Sequence, residues 1–314
     1  MQRWGQTAAK VTRYRCLHCS KSSTWKRRDN HPQWFPVFLK YLISKTPLEE
    51  VAQLHKVGSR TLMRTFKPYW MVAPLPLPQP SSEVIILDGT SLHGRTDVVL
   101  IARSLMSVTS WKFVCRENWE SWTLLLSSIP ENVFVVVCDG QKGLLKAIHT
   151  RWERVKIQRC IKHVKQGVLN KLSTHPKTLA GQKLYQISKD LSQVWTRRQK
   201  RRWIKRLRNW QKKYSSYLSE RSTGIFPCGR KHSWFTHKRL RGAHGLIASA
   251  LPDLFRYVGH YHVPRTTNHL EGGINARIKE LIHAHRGLPL WKKQILVSYF
   301  LRTKQVQKPT RNVT

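Results

Sequence analysis

The chain has 314 residues, 40% of them apolar, and carries 57 Lys and Arg against 16 Asp and Glu, a formal net charge of +41. That apolar content suffices for one large domain or two or three small ones, and a charge so far from balance points to a polyanionic partner, nucleic acid first. No run reaches the roughly 18 apolar residues of a membrane span, the start MQRWGQTAAK has no apolar signal core, and six scattered cysteines form no disulfide framework, so a reducing, cytoplasmic setting without a membrane is expected.

Residues 1–31 are polar and basic and hold one CxxC, Cys16 and Cys19, in RYRCLHCSKS. A helical pattern runs from Pro32 to about Ser44. In PLEEVAQLHKVGSRTLMRTFKPYW, Leu48, Val51, Ala52 and Leu54 give one apolar face. Lys56–Gly58 make a turn, and Ser59 can cap a second helix with Leu62, Met63 and Phe66 on its apolar side. Residues 32–70 thus read as a helix-turn-helix region that offers Arg60, Arg64 and Lys67 to DNA, a plain helical hairpin being the alternative. The four prolines of MVAPLPLPQPSSE mark 71–82 as an extended linker.

The texture then changes. EVIILDGTSL, DVVLIARSL and SVTSWKFVCR predict three strands, NWESWTLLLSSI a helix, NVFVVVCDG a fourth strand, QKGLLKAIHTRW a helix, and VKIQRCIKHV a fifth strand turning into a helix. Three successive strands suggest antiparallel hairpins and the later strand–helix–strand units parallel crossovers. That mixed α/β sheet is the plan of a ribonuclease-H-like fold, with 83–164 as its first part. Residues 165–262 form a basic, largely helical insertion. In WTRRQKRRWIKRLRNWQKKY, Trp195, Trp203, Trp210 and Tyr214 are expected on one helix face, as core anchors or as a stacking platform for bases. Arg197, Arg198, Arg201 and Arg202 lie opposite as a phosphate track, and Arg239 and Arg241 are further DNA contacts. Residues 221–262 show no regular pattern. From Asn268, the spacing of Leu270, Ile274, Ile278 and Leu281 predicts a helix within a C-terminal part spanning 263–302, and 303–314 reads as a disordered tail.

In so basic a chain, carboxylates at strand ends stand out. Asp88 ends VIILD and Asp139 ends VFVVVCD, 51 positions later. First and fourth strands can lie side by side, and two like charges brought together this way call for a cation. Two Mg²⁺ (or Mn²⁺) ions suit carboxylates, water and phosphate oxygens, and would activate a water or a 3′-hydroxyl against a phosphodiester. Glu271, in TTNHLEGGIN, is the best third carboxylate. The bland alternative is that each Asp caps the element that follows it.

The set LDGTSL, VVVCDGQKGL, RCIKHV and TTNHLEGGINARIKE resembles the motif series of Mutator-like DDE transposases of bacterial insertion sequences. The resemblance covers about residues 1–302. It implies that Asp88, Asp139 and Glu271 bind catalytic metals, that Cys160 and His163 are the C-x-x-H pair, and that these two, with Asn268, lie near the site. A zinc site at the C-x-x-H pair would need a second pair, which is not nearby. A buried structural pair and a DNA contact stay open. Zinc-ribbon relatives carry two CxxC pairs where this chain has only Cys16 and Cys19, so 1–31 reads as a shortened, partial ribbon, and two thiolates alone do not close a zinc site. The implied activity is metal-dependent DNA cleavage and strand transfer at terminal inverted repeats and target DNA, by a homo-oligomer (a dimer on DNA) at the nucleoid. A structure-specific nuclease on the same fold and a silent, transposase-derived DNA-binding protein are the rivals.

Overall fold

The computed structural model of the chain describes residues 1–24, 31–94, 96–226, 228, 230–260 and 262–305, and most of the expected tail, 306–314, lies outside them. The chain divides into two compact units, Met1–Ala73 and Pro74–Thr314.

The first unit opens with a three-stranded antiparallel sheet, β1 (Gln2–Gln6), β2 (Thr12–Arg15) and β3 (Ser22–Thr24). The polar, basic pattern of this stretch predicts no strand. Its hydrogen bonds span short loops, and the CxxC forms the turn between β2 and β3, closed by Ser20 N–H to Cys16 O (3.0 Å) and Cys16 N–H to Lys21 O (2.9 Å). Three helices follow: α1 (His31–Ile43), α2 (Leu48–Leu54) and α3 (Ser59–Phe66). Phe38, Leu42, Val51, Ala52, Leu62 and Phe66 are buried among them. Two expectations shift. Leu54 and Met63 are exposed because each lies off the buried stripe of a short helix. Gly58 is the cap residue of α3 and Ser59 its first residue, with no side-chain cap bond.

The second unit is a mixed α/β structure around a five-stranded sheet of order β6-β5-β4-β7-β8. Its strands are β4 (Val84–His93), β5 (Thr96–Arg103), β6 (Val108–Val114), β7 (Val135–Cys138) and β8 (Lys156–Arg159). The first three pair antiparallel, and β7 and β8 add on parallel. Between β6 and β7 runs α4 (Trp119–Leu126), and between β7 and β8 runs α5 (Lys142–Arg151). One sheet face buries Ile85, Leu87, Leu100, Val136 and Cys138 against Trp122, Leu125, Leu144 and Ile148 of these helices. Each of the Val, Leu and Ile side chains contributes about 1.5–3 kcal/mol on burial. The alternate residues Ile86, Ile101 and Val137 are equally buried on the other face.

The helical region begins with α6 (Ile161–Leu172), α7 (Leu179–Asp190), α8 (Arg197–Lys213) and α9 (Ser215–Ser219). Trp203, Leu207 and Trp210 form the buried stripe of α8, and the two indole N–H groups tie it to α7, Trp203 to Ile187 O (2.8 Å) and Trp210 to Ala180 O (3.0 Å). These two tryptophans are core anchors, not a base-stacking platform. Trp195 departs from the expected face: Thr196 caps α8 in a capping box with Gln199, so Trp195 precedes the helix and is exposed, under the guanidinium of Arg265 at 3.7 Å. The stretch expected to be irregular holds a hairpin, β9 (Arg221–Ile225) with β10 (Lys231–Phe235), and a helix, α10 (Lys238–Ala250), packed on α6. Buried Gln158 of β8 joins the sheet edge to the chain beyond α10: its Nε2–H donates to Leu254 O (3.0 Å) and its Oε1 accepts from Arg256 N–H (2.8 Å).

The chain ends on α11 (Asn268–Leu270), a π-helical turn at Glu271–Asn275, α12 (Ala276–Ala284) and α13 (Leu290–Thr303), which lies against β4 and β6. The expected start of the tail at residue 303 is too early. Gln305 is buried and its side chain bonds Leu77 N–H (3.0 Å), Leu77 O (3.1 Å) and Thr109 O (3.1 Å), which also pins the middle of the proline-rich stretch. No helix among the described residues is long and apolar enough to cross a membrane.

Candidate active site

The parallel ladder between β4 and β7 pairs Val84 with Val135, Ile85 with Val136 and Ile86 with Val137. Every pair is 51 positions apart, the separation of Asp88 and Asp139. Two residues beyond the last pair, the same register sets Asp88 of β4 beside Asp139, the residue that directly follows β7. Side chains alternate along a strand, so both aim to the face of Ile86 and Val137. Both are half-buried. Asp139 Oδ1 accepts from Gln141 N–H at 2.9 Å, a local turn of the kind the capping alternative foresaw, although the cap residue of α5 is Gln141 itself. Among the described residues no Lys or Arg pairs with either aspartate.

Two further polar residues join them. Glu117, in the turn from β6 to α4, lays its carboxylate over Gly89: a Cβ there would stand 3.1 Å from Oε2 and 3.2 Å from Oε1. Gln141 Nε2–H donates to Glu117 O at 3.2 Å, tying this turn to the loop after Asp139. Asn275, in the π turn, is buried, and its Nδ2–H donates to Asp88 Oδ2 at 2.8 Å, while its Oδ1 has no hydrogen-bond partner among the described residues. Sequence reading missed both. Glu117 carries a weak signal, an acid just ahead of the Asn118 cap; Asn275 carries none beyond standing one turn from Glu271. Burial first, and then the negative charges of Glu271, Asp139 and Glu117, push the Asp88 carboxyl up to about 7, against the pull of His163. Burial and Asp139 likewise raise Glu117.

Glu271 opens the π turn and is coupled electrostatically to Asp88. Its own polar contacts run the other way, toward the start of α6. Lys162 forms a close ion pair with Oε2, Thr267 Oγ1–H donates to Oε1 at 2.8 Å, and His163 Nδ1 lies 3.6 Å from Oε1. Burial works against its charge, but the bonds from Lys162 and Thr267 outweigh it and hold the carboxyl below its ordinary value. Cys160, fully buried, accepts from Thr267 N–H at 3.4 Å and has Thr267 Oγ1 at the same distance. Burial opposes its thiolate, yet the nearness of His163 and the hydrogen bonds from Thr267 lower its pKa, and the nearness of Cys160 pushes His163 up to about 9. Asn268 is exposed and lines a cavity with Lys162, Lys165, Lys189 and Arg265 beside Glu271. The near-site residues Cys160, His163 and Asn268 thus gather around Glu271.

Two glycines allow the close packing here. Gly140 has φ +81°, and a Cβ on it would fall 1.7 Å from Arg159 Nε, because Arg159 crosses it to donate to Asp139 O at 3.0 Å. At Gly143 a Cβ would meet Trp119 N at 2.9 Å, so α5 abuts the turn that carries Glu117.

Of the expected DNA contacts, Arg60, Arg64 and Lys67 are exposed on and just after α3, and Arg197, Arg198, Arg201 and Arg202 are exposed on α8. Arg239 and Arg241 are less free. Arg239 donates to Asn170 O (3.4 Å), and Arg241 donates to Leu218 O (3.1 Å) and stacks over Phe235 at 3.6 Å. Cys16 and Cys19 are unpaired in their turn, and backbone N–H groups of Cys19 and His18 lower the Cys16 pKa.

Residues 102–226 match the model of a protein family described as Transposase, Mutator family. The matched stretch includes Asp139, Cys160 and His163 and stops short of Asp88 on one side and Glu271 on the other. No curated protein matches the chain.

Proposed function

We propose that this chain, whose residues 102–226 match the model of the Mutator family of transposases, is a transposase of that kind and cuts and joins DNA at divalent ions held by Asp88, Asp139 and Glu271. One observation carries the reading: the β4–β7 register shares its 51-residue offset with the two aspartates. The donor set fits Mg²⁺ or Mn²⁺, since two half-buried carboxylates with no Lys or Arg partner among the described residues, Glu117 over Gly89, and Asn275 Oδ1, which has no hydrogen-bond partner among them, offer only oxygens. When bound, two such ions lower the pKa of a water or 3′-hydroxyl and stabilise the leaving oxygen of a phosphodiester.

The protein's own residues do the rest. The rigid strands fix Asp88 and Asp139, and Asn275 orients the Asp88 carboxylate. Glu271, paired with Lys162 in the metal-free protein, would be the third carboxylate to hold the ions. Lys162, Lys165 and Arg265, which line the adjoining cavity, neutralise phosphates of the bound strand. The antiparallel-then-parallel sheet with helices inserted before the third acid supports a ribonuclease-H-like plan. In the same reading the α2–α3 pair is a helix-turn-helix that recognises terminal inverted repeats through Arg60, Arg64 and Lys67. The exposed arginines of α8 track the DNA backbone, with Arg239 and Arg241 secondary. Cys16 and Cys19 are remnant zinc ligands. Holding two element ends together calls for a homo-oligomer, a dimer on DNA, acting at the bacterial nucleoid. The test is strand transfer from a pre-cut inverted-repeat end in Mg²⁺. The reading expects joined products that vanish in Asp139→Asn. Cleavage without joining selects a nuclease, and equal activity of wild type and variant discards the catalytic assignment.

A further inference from the structure

Where α6 begins, three donors of a different chemistry converge. Cys160 Sγ, a ring nitrogen of His163 and one Glu271 oxygen all lie within 4.8 Å of one another. Cys160 is the cap residue of α6 and His163 stands in its first turn, so the two project toward the same side. From the sequence this pair lacked further ligands. The fold supplies one from more than a hundred residues away.

The local hydrogen bonding is incomplete in a way that a cation would complete. His163 Nδ1 is buried and has no hydrogen-bond partner among the described residues, although it faces Glu271 Oε1 at 3.6 Å. Thr267 Oγ1 lies within bonding reach of both Cys160 Sγ (3.4 Å) and Glu271 Oε1 (2.8 Å), but it has a single proton and serves one acceptor at a time. A thiolate, an imidazole and a carboxylate are the ligand set of zinc, and three protein ligands leave a fourth position open. The Asp88–Asp139 pair, oxygen throughout, has no such preference.

We propose that Cys160, His163 and Glu271 form a binding site for a thiophilic divalent cation of the zinc type. Binding forms an Sγ–metal bond while the thiol proton passes to solvent. The cation displaces Lys162 as the counter-charge of Glu271. If Glu271 serves DNA cleavage, which rests on the function proposed above, the same ion withdraws it and inhibits the reaction.

Co²⁺ is the probe, titrated into the full chain carrying Cys16→Ser and Cys19→Ser so that the N-terminal pair contributes nothing. The expected result is a thiolate-to-cobalt charge-transfer band that saturates at about one equivalent and is chased by Zn²⁺. It disappears in Cys160→Ser, and binding weakens about tenfold or more in His163→Ala; should the buried serine prevent folding, the half-buried His163 position decides. The band persists when Asp88→Asn and Asp139→Asn are added, so binding stands or falls separately from the cleavage chemistry. Absence of the band in the parent, or unchanged affinity in His163→Ala, overturns the proposal.

Discussion

Replacing Asp88 by Asn tests the electrostatics of the site without removing its shape. The wild-type carboxyl is raised from 3.8 to about 7, by burial above all and then by the neighbouring acids. For an acid raised in this direction, the fold favours the protonated form. Its stabilising contribution is complete below the unfolded value and is lost as pH climbs from about 4 to about 7. At about 1.4 kcal/mol per tenfold change the full rise corresponds to roughly 4 kcal/mol, and partial exposure of Asp88 to solvent reduces it to about 2 kcal/mol. Asn keeps an oxygen to accept from Asn275 and carries no charge. Urea unfolding of metal-free protein should therefore show Asp88→Asn more stable than wild type by about 2 kcal/mol near pH 8 and equal to it near pH 4. Mn²⁺ should stabilise the wild type and leave the variant unchanged. A variant less stable than wild type near pH 8 without metal would refute the reasoning, because the ionised carboxylate would then be at ease where it sits.

Glu271→Gln should lower metal-dependent cleavage about 10²–10³-fold, as loss of one charge-stabilising contact does, with the unfolding midpoint showing whether the fold persists. Gly140→Ala should destabilise by about 2 kcal/mol or more in urea titration, since it combines left-handed backbone with a collision against Arg159. Trp203→Ala should cost about 3–5 kcal/mol through the cavity and the lost Ile187 bond. By contrast Arg201→Ala and Arg202→Ala should stay within about 0.5 kcal/mol of wild type in stability, while each lowers the salt dependence of DNA binding by about one ion.

The aspartate pair was legible because it depends on two strands and one offset, both written in the chain. The strand order β4 beside β7 followed from three hairpin-forming strands and one crossover. Glu271 was legible as a rare acid on an amphipathic helix, but its grip by Lys162 and Thr267 was not, since it arises where two distant helices meet. Glu117 and Asn275 were invisible for a related reason: a turn and a π bulge acquire their direction from packing, not from periodicity. The hairpin of β9 and β10 escaped because its strands are short and mostly exposed, leaving little burial pattern to read. Trp195 lies outside the expected helix face because Thr196 and Gln199, three apart, form the capping box that starts α8 after it.

The most direct test of the central claim is where a metal binds. Crystals of the full chain soaked in Mn²⁺ should give an anomalous peak within about 2–2.5 Å of carboxylate oxygens of both Asp88 and Asp139, close to the direct ligand lengths of a hard cation, and the peak should vanish in Asp139→Asn. Manganese bound elsewhere, with the two aspartates bare in protein that still cleaves DNA, would contradict the account.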